Sequence, residues 1–170
     1  MRKLVMGGAI GLFVLSVVLV ACGGSGSGSN DASERRFQDM WEIDQIEKQF
    51  HQATSEKNID MMLSLYAPNA TFTVGGGETA VGIDEIREFW TTKSPAFDAD
   101  NAWVSDHPAY KMEITVNGDR GTLHFECHFI DAGDGPDSGQ VAAITAGDAD
   151  VARIDGKWLI TNFVGGSTEL

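Results

Sequence analysis

The feature that most constrains this fold is an alternation of apolar and polar residues that begins after Asn101. Such alternation places successive side chains on opposite faces of a β-strand, and it occurs in four runs, over residues 103–116, 122–130, 140–154 and 158–164. Turn-forming sequences separate the later runs: Asn117-Gly118-Asp119, Asp134-Gly135-Pro136-Asp137 and Asp155-Gly156. The sequence therefore predicts an antiparallel meander of long strands.

The first half of the chain has helical periodicity instead. One buried stripe on a first helix is predicted by apolar residues at spacings of three and four: Ile43, Ile46, Phe50 and Ala53. This helix is expected from Glu34 to about Asn58, and His51, which falls outside the stripe, is expected to be exposed. A second apolar set either caps the domain or meets a second subunit: Phe37, Met40 and Trp41.

Two shorter helices and a short strand complete this half. A helix is predicted over residues 59–66, where Pro68 ends it, and another over residues 83–92. Between them, residues 71–74 are predicted as a strand that Gly75-Gly76-Gly77 interrupts. Helices followed by antiparallel strands are typical of an α+β domain, with the helices on one face of a sheet.

The N-terminus has the composition of an export signal. Arg2 and Lys3 precede an apolar run at residues 4–21, which is near the lower limit of a membrane span. The run closes with Leu19-Val20-Ala21-Cys22, which resembles the lipobox of bacterial lipoproteins, whose cysteine becomes the lipidated first residue. An uncleaved signal anchor is the alternative.

This resemblance predicts three parts of the chain. They are a signal peptide at residues 1–21, a lipidated Cys22 followed by a Gly/Ser linker to residue 33, and a domain at residues 34–170. We expect the lipid to hold the domain on the outer side of a bacterial membrane, either the cell membrane or an outer membrane. With Cys22 lipidated, only Cys127 remains, so no intramolecular disulfide is expected.

Charge narrows the choice of partners. The chain has 25 acidic and 12 basic side chains and a net charge of -13. Such a surface repels the phosphate backbone, so we expect no nucleic-acid partner.

The stretch at residues 122–130, TLHFECHFI, concentrates two histidines, a glutamate and a cysteine. In a strand its apolar side chains must face the helices, so His124, Glu126 and His128 face water or a partner. The α-carbons of the two histidines would be roughly 13 Å apart, at the far limit for sharing an ion, and zinc needs three or four ligands. We therefore predict no metal here, and Cys127 as a buried apolar residue rather than a nucleophile.

Three segments together resemble a known family. They are Leu65-Tyr66-Ala67-Pro68-Asn69-Ala70-Thr71-Phe72, the glycine-led helix Gly82-Ile83-Asp84-Glu85-Ile86, and the hairpin Asp155-Gly156-Lys157-Trp158. In this order, with the long strands, they resemble the SnoaL-like branch of the NTF2-like superfamily over residues 40–166. Asn69 stands where the family commonly has aspartate, at a helix-to-strand corner, and this departure concerns turn stability more than chemistry.

The resemblance implies an α+β cone, with three N-terminal helices packed in the concave face of a strongly curved, mainly antiparallel sheet. It also implies an apolar pocket open at one end and frequent homodimerisation through the sheet's outer face. Polyketide cyclases, ketosteroid isomerases and scytalone dehydratase, enzymes of this superfamily, set an acid or base in the cone. No cofactor is expected.

The inner face of the strand beginning at Trp103 offers the catalytic candidates. Asp106 is expected at the cone mouth with Tyr110 as a hydroxyl donor, and a bulge at Pro108 would bring His107 inward instead. The alternative interpretation is a merely polar strand start, and the late strands lack the acid–base pair of the cyclases, so no catalytic residue transfers from the family. The predicted pocket lining is aromatic: Phe50, Tyr66, Phe72, Trp90, Tyr110 and Phe125.

Three functions fit these observations. The favoured one is a membrane-anchored module that holds a small lipophilic molecule in the cone. The second is a cofactor-independent cyclase, isomerase or dehydratase that uses Asp106 or His107. The third is a dimeric interaction domain whose outer sheet face meets itself or another envelope protein.

Overall fold

The computed structural model describes residues 27–75, 77–105 and 109–169, with side chains described from residue 31 to residue 166 of these ranges. Within them the chain forms three α-helices and one 3-10 turn: α1 (Ser27–Ser55), α2 (Ile59–Leu63), α3 (Gly82–Thr92) and the turn Pro95–Phe97. The predicted signal peptide and the lipidation site at Cys22 lie outside the described residues.

Seven strands of the described ranges form one sheet. They are β1 (Tyr66–Val74), β2 (Thr79–Val81), β3 (Trp103–Ser105), β4 (Lys111–Asn117), β5 (Arg120–Asp131), β6 (Val141–Ile154) and β7 (Lys157–Glu169). The strand order is β2-β1-β7-β6-β5-β3, and β4 also pairs with β5. Only the β1–β7 pairing is parallel among the described strands, so the sheet is mainly antiparallel.

The turn chemistry explains the longest hairpin. Strands β6 and β7 are joined at Asp155 and Gly156, whose φ angles are 50° and 82°. Two consecutive positive φ values match the right-handed twist of the flanking strands, and an Asp-Gly pair adopts them at low cost. The predicted hairpin at this position is therefore confirmed, and Ile154 pairs with Lys157 directly across it.

The boundaries of two helices differ from the sequence prediction. Helix α1 begins at Ser27 rather than Glu34, and α2 ends at Leu63 rather than continuing to residue 66. The chain leaves α2 early because the carbonyl of Leu65 accepts a hydrogen bond from the Ile160 amide at 2.8 Å, which draws it into the sheet.

The predicted single strand over residues 103–116 is two strands, β3 and β4. Ser105 pairs with Phe129 and Lys111 pairs with Glu126. The sequence therefore advances six residues from β3 to β4, whereas the partner strand β5 advances only three between the same two pairs. The β3–β5 and β4–β5 ladders therefore differ in register by three residues, and the inward and outward alternation of β3 does not continue in phase in β4.

The core lies between the helices and one face of the sheet. The predicted α1 stripe is buried, and it packs with the inner face of β5, which carries Leu123, Phe125, Cys127 and Phe129. These β5 side chains are 1%, 1%, 0% and 5% exposed. The prediction that the apolar side chains of β5 face the helices is confirmed.

The helices of the described part of the chain do not resemble membrane spans. None of them combines the length with the hydropathy that crossing a bilayer requires.

Candidate functional site

An aromatic cavity opens between the helices and the inner face of the sheet. Its volume is about 500 Å³. Six aromatic rings from five elements line it: Phe50 of α1, Phe72 of β1, Phe89 and Trp90 of α3, Phe129 of β5 and Phe163 of β7. A concave apolar cavity of this size, with few polar groups, is a typical small-molecule site.

Four of these rings pack on one another. Phe163 stacks on Phe72 with centroids 5.3 Å apart and an interplanar angle of 6°. It also stacks on Phe50, with centroids 5.5 Å apart and an angle of 18°. Trp90 meets Phe50 nearly edge-on at 5.5 Å and Phe72 at 5.3 Å. These contacts fix the rings, so this wall of the cavity is preformed.

Glycines in the sheet make room for the central ring. A Cβ at Gly147 would lie 2.5 Å from Cζ of Phe163 and 2.9 Å from Cζ of Phe125. A Cβ at Gly165 would lie 2.6 Å from Cε1 of Phe163. Because real Cβ contacts are never this short, the two glycines allow the Phe163 ring to lie against the sheet backbone.

The polar groups of the cavity are few. Lys93 at the end of α3 pairs with Glu78, and both side chains are about half exposed. This pairing with Glu78 raises the pKa of the Lys93 ammonium. Thr145 donates its hydroxyl to the carbonyl of Gly166 at 3.0 Å, and Ser94 completes the polar lining. The two opposite charges at the cavity balance each other.

A second feature, which we term the buried polar cluster, consists of Glu47, His51, Ser105 and Cys127. Glu47 and His51 lie one turn apart on α1 and are 0% and 1% exposed, with Nε2 of His51 2.8 Å from Oε1 of Glu47. On its other side, Nδ1 of His51 contacts Oγ of Ser105 and lies 3.5 Å from Sγ of Cys127. The cluster places a carboxylate, an imidazole, a hydroxyl and a thiol in one connected interior group.

The cluster also holds the chain on both sides of residues 106–108. The amide of Ala109 donates to Oε1 of Glu47 at 3.2 Å. On the other side, the amide of Ser105 donates to Oγ of Ser55 at 2.8 Å. The segment that carries two of the predicted catalytic residues is therefore attached, at each end, to the half of α1 that carries the buried polar cluster.

The outer face of the sheet carries a network centred on Glu126. Its carboxylate accepts hydrogen bonds from Lys111 at 2.8 Å, His124 at 3.1 Å and the Tyr110 hydroxyl at 2.9 Å. These donors, Lys111 first, lower the pKa of Glu126 to about 2. His124 also contacts Asp148 at 2.8 Å, and this hydrogen bond is the main reason that the pKa of His124 is raised.

The outward orientation predicted for His124 and Glu126 is confirmed, because both lie on this partly exposed network. Among the described residues, no group of three histidine, cysteine or acidic side chains is arranged to hold a metal ion.

The structure places the predicted pocket residues in three environments. Phe50, Phe72 and Trp90 line the cavity. Tyr66 and Phe125 are buried beside it, Tyr66 edge-on to Phe72 at 6.2 Å and Phe125 tilted against Phe50 at 5.3 Å. Burial raises the pKa of the Tyr66 hydroxyl far above its usual value.

Tyr110 is the third case, and its predicted inward orientation is wrong. It is 52% exposed and stacks on His128 of the outer face, with ring centroids 4.7 Å apart. The break between β3 and β4 is the physical reason, because inward and outward positions cannot be extrapolated across it. Asp106 and His107 lie outside the described residues.

The predicted exposure of His51 is also wrong. The second half of α1 is buried over more than one stripe, since Glu47 and Thr54 are as inaccessible as the stripe residues. A glutamate and a histidine four residues apart, next to Phe50, are a signal of this cluster in the sequence. The cavity residues Phe89, Phe129 and Phe163 were not predicted as pocket residues, because they come together only in the folded chain.

Comparison with known proteins agrees with this architecture. A family model of the SnoaL-like domain matches residues 35–164. A comparison with curated proteins gives no significant match.

Solved structures of the same fold are numerous. An NTF2-like protein with a cystatin-like fold from Novosphingobium aromaticivorans has 17% identity and a TM-score of 0.68, over 85% of this chain and 91% of that one. A cystatin-like protein of unknown function from Nostoc punctiforme has 18% identity and a TM-score of 0.63, over 77% and 92%. A ketosteroid isomerase-like protein from Erwinia carotovora atroseptica has 13% identity and a TM-score of 0.59, over 78% and 98%. At these identities the similarity shows the fold alone.

Proposed function

The chain belongs to the SnoaL-like domain family of the NTF2-like superfamily, and on this premise we propose that it binds a small apolar molecule in its aromatic cavity. The observation that carries the proposal is the cavity of about 500 Å³ with its six aromatic rings. In the proposed arrangement the helices lie in the concave side of the curved sheet, and the cavity is the open end of the cone.

The cavity favours a flat, largely uncharged ligand. Stacked rings such as Phe72 and Phe163 offer broad apolar surfaces, and aromatic contacts prefer offset-stacked or edge-on partners. Lys93 and Glu78 neutralise each other, so neither is an unbalanced charge that would select an ionic ligand. Ser94 and Thr145 can orient a hydroxyl or carbonyl group of the bound molecule.

The proposal includes a location. We infer from the lipobox-like sequence ending at Cys22 that the domain is tethered by lipid to the outer side of a bacterial membrane. A tether at the membrane surface places the cavity next to a phase in which lipophilic molecules concentrate. Capture or sensing of such a molecule fits this position.

A thermal-shift screen tests the proposal. The purified protein is heated with steroids, polyketides, fatty acids and terpenoids, and one class is expected to raise the melting temperature by several degrees. A ligand at one hundred times its Kd contributes about 2.7 kcal/mol to stability when it binds only the folded state.

A matched pair of variants locates the binding. Ser94→Phe introduces a ring into the cavity lining and is expected to abolish the shift. Thr92→Phe adds the same ring two residues earlier, at an exposed position outside this lining, and is expected to retain it. No shift with any class, or equal shifts in both variants, would contradict the proposal.

A second candidate function is a cofactor-independent enzyme of the isomerase, dehydratase or cyclase type. It is supported by the buried acid–base pair Glu47 and His51, and by the attachment of the chain beside residues 106–108 to the same half of α1. Asp106 and His107 remain the predicted acid or base. If a carbonyl substrate is found, Asp106→Asn is expected to abolish its turnover while leaving the melting temperature unchanged.

We also propose that two copies associate through the outer face of the sheet. Apolar side chains are exposed there on β6 and β7, with Ile144 at 40% and Val164 at 45%. They flank the polar network around Glu126, which gives the face both apolar and charged groups. A monomer in light scattering at micromolar concentration would contradict this association.

A further inference from the structure

Nδ1 of His51 and Oγ of Ser105 are in contact inside the buried polar cluster. On the other side of the ring, Nε2 lies 2.8 Å from Oε1 of Glu47, which accepts a hydrogen bond from the Ala109 amide at 3.2 Å. This close approach places the carboxylate beside the ring without an aligned hydrogen bond to Nε2. When the neutral imidazole carries its proton on Nε2, Nδ1 is the basic nitrogen and accepts the proton of the Ser105 hydroxyl.

Ser105 lies on the side of the sheet that carries the cavity. In the β3–β5 ladder Ser105 pairs with Phe129, and directly paired residues place their side chains on the same face of a sheet. Phe129 lines the cavity, so the Ser105 hydroxyl lies beside a residue of the cavity wall. His51 is also adjacent, since its ring is 5.3 Å from Phe125 and 6.0 Å from the cavity residue Phe50.

The serine, not the cysteine, is the accessible member of the cluster. Ser105 is partly exposed, whereas Cys127 is 0% exposed. Both groups reach Nδ1 of His51, but only a group that a substrate can approach can act as a nucleophile. A serine hydroxyl in contact with an imidazole that has a carboxylate on its other side is the combination that activates serine for attack in unrelated hydrolases.

We propose that Ser105 is a nucleophile that accepts an acyl group from a small apolar ester or thioester, with His51 as its general base and Glu47 as the positioning residue. The bond from Oγ of Ser105 to the carbonyl carbon forms while the Ser105 proton passes to Nδ1 of His51. The bond from that carbon to the leaving oxygen or sulfur breaks, and the leaving group takes the proton from His51. Water then cleaves the acyl-serine by the same route, giving an acid and restoring the Ser105 hydroxyl.

The direct test uses a fluorophosphonate probe and the full-length protein. Oγ of Ser105 is expected to displace fluoride from phosphorus and to form a stable adduct, which mass spectrometry of peptides locates at Ser105 in the unaltered protein. Absence of an adduct, or an adduct at any other residue, would overturn the proposal. This result does not depend on whether any variant folds.

Variants and a chromogenic ester extend the test. With p-nitrophenyl butyrate, Ser105→Ala is expected to lose hydrolysis, and His51→Asn is expected to lower the rate by about a hundredfold or more. Ser64→Ala is the matched control, since this serine is exposed and its hydroxyl donates to the carbonyl of Met61 three residues earlier, and its rate should be unchanged. Equal rates in Ser105→Ala and Ser64→Ala would also reject the proposal.

The role of Glu47 needs a readout that a structural role would not affect. Glu47→Gln is expected to slow fluorophosphonate labelling of Ser105, and Glu47→Asp, which keeps the carboxylate, is expected to recover part of the rate, with the adduct still at Ser105 in both variants. Equal labelling rates in Glu47→Gln and the original protein would show that Glu47 does not position the base.

Discussion

Two histidines of this molecule face a carboxylate at the same distance in opposite surroundings. His51 lies 2.8 Å from Glu47, and the two side chains are 1% and 0% exposed. His124 lies 2.8 Å from Asp148, and these side chains are 24% and 73% exposed. Solvent screens the second pair and not the first, so two contacts of equal length contribute differently to the free energy of unfolding. Distance alone is therefore a poor guide to the importance of a polar contact.

The largest expected effect is that of removing the buried carboxylate. Glu47→Ala removes the partner of His51 and of the Ala109 amide in a region without solvent, and is expected to lower the free energy of unfolding by about 3 kcal/mol. Asp148→Ala removes the matching partner of His124, and is expected to change it by less than about 0.5 kcal/mol. Urea denaturation of both variants gives the two values. Equally small losses would show that burial does not distinguish the two pairs.

A smaller effect is expected from adding one methyl group to the inner face of the sheet. Gly147→Ala brings a Cβ against the rings of Phe163 and Phe125, at 2.5 Å and 2.9 Å before any relaxation. Overpacking of this kind is expected to cost about 2 kcal/mol and to reduce ligand binding in the cavity.

The control for this variant is its neighbour on the outer face. Ala146→Ser adds one atom at an exposed position and is expected to stay within about 0.5 kcal/mol of the original protein. If thermal or urea denaturation gives the same stability for both variants, the inner face is less tightly packed than the ring contacts indicate.

The smallest effect concerns pH. His124 has a pKa above its ordinary value of 6.5, chiefly through Asp148, so its contribution to stability is present below pH 6.5 and is lost as pH rises through the folded value. Glu126 has the opposite sign: its pKa of about 2 lies below the ordinary 4.5, so its contribution is present above pH 4.5 and is lost as pH falls towards 2.

His124→Gln isolates the first of these contributions. Melting temperatures from pH 5.5 to 8.5 are expected to decline more steeply with rising pH in the original protein than in the variant. Parallel profiles would mean that the contacts of His124 with Asp148 and Glu126 do not persist in solution.

The same contrast shows what a sequence can reveal. The faces of β5 were predicted correctly because side chains alternate between the two faces of a strand. Leu123, Phe125 and Phe129 are all apolar and share one face, so that face must be the buried one. The environment of His51 was predicted wrongly because a single stripe was assigned to α1, whereas its second half is enclosed on several sides. Apolar residues at helical spacing identify the central stripe of the buried face, but they do not show how far burial extends around the helix.

The candidate site was predictable only in part. Phe50, Phe72 and Trp90 were predicted as pocket residues and line the cavity. Ser105 was not singled out, because its significance depends on a contact with His51, which is fifty-four positions earlier in the chain. Tyr110 was misplaced because the additional residues before β4 change which side chains face inward. Contacts between distant segments, and breaks in a ladder, are not visible in local patterns.

The last strand of the chain lies in the middle of the sheet. Strand β7 pairs with β6 on one side and, in parallel, with β1 on the other, so the sheet cannot join its two halves until residues 157–169 are available. Long-range pairing of this kind makes folding slow, because the intervening chain must first be ordered. A chain that is still being synthesised therefore lacks the strand that connects the two halves of its sheet until residues 157–169 emerge from the ribosome.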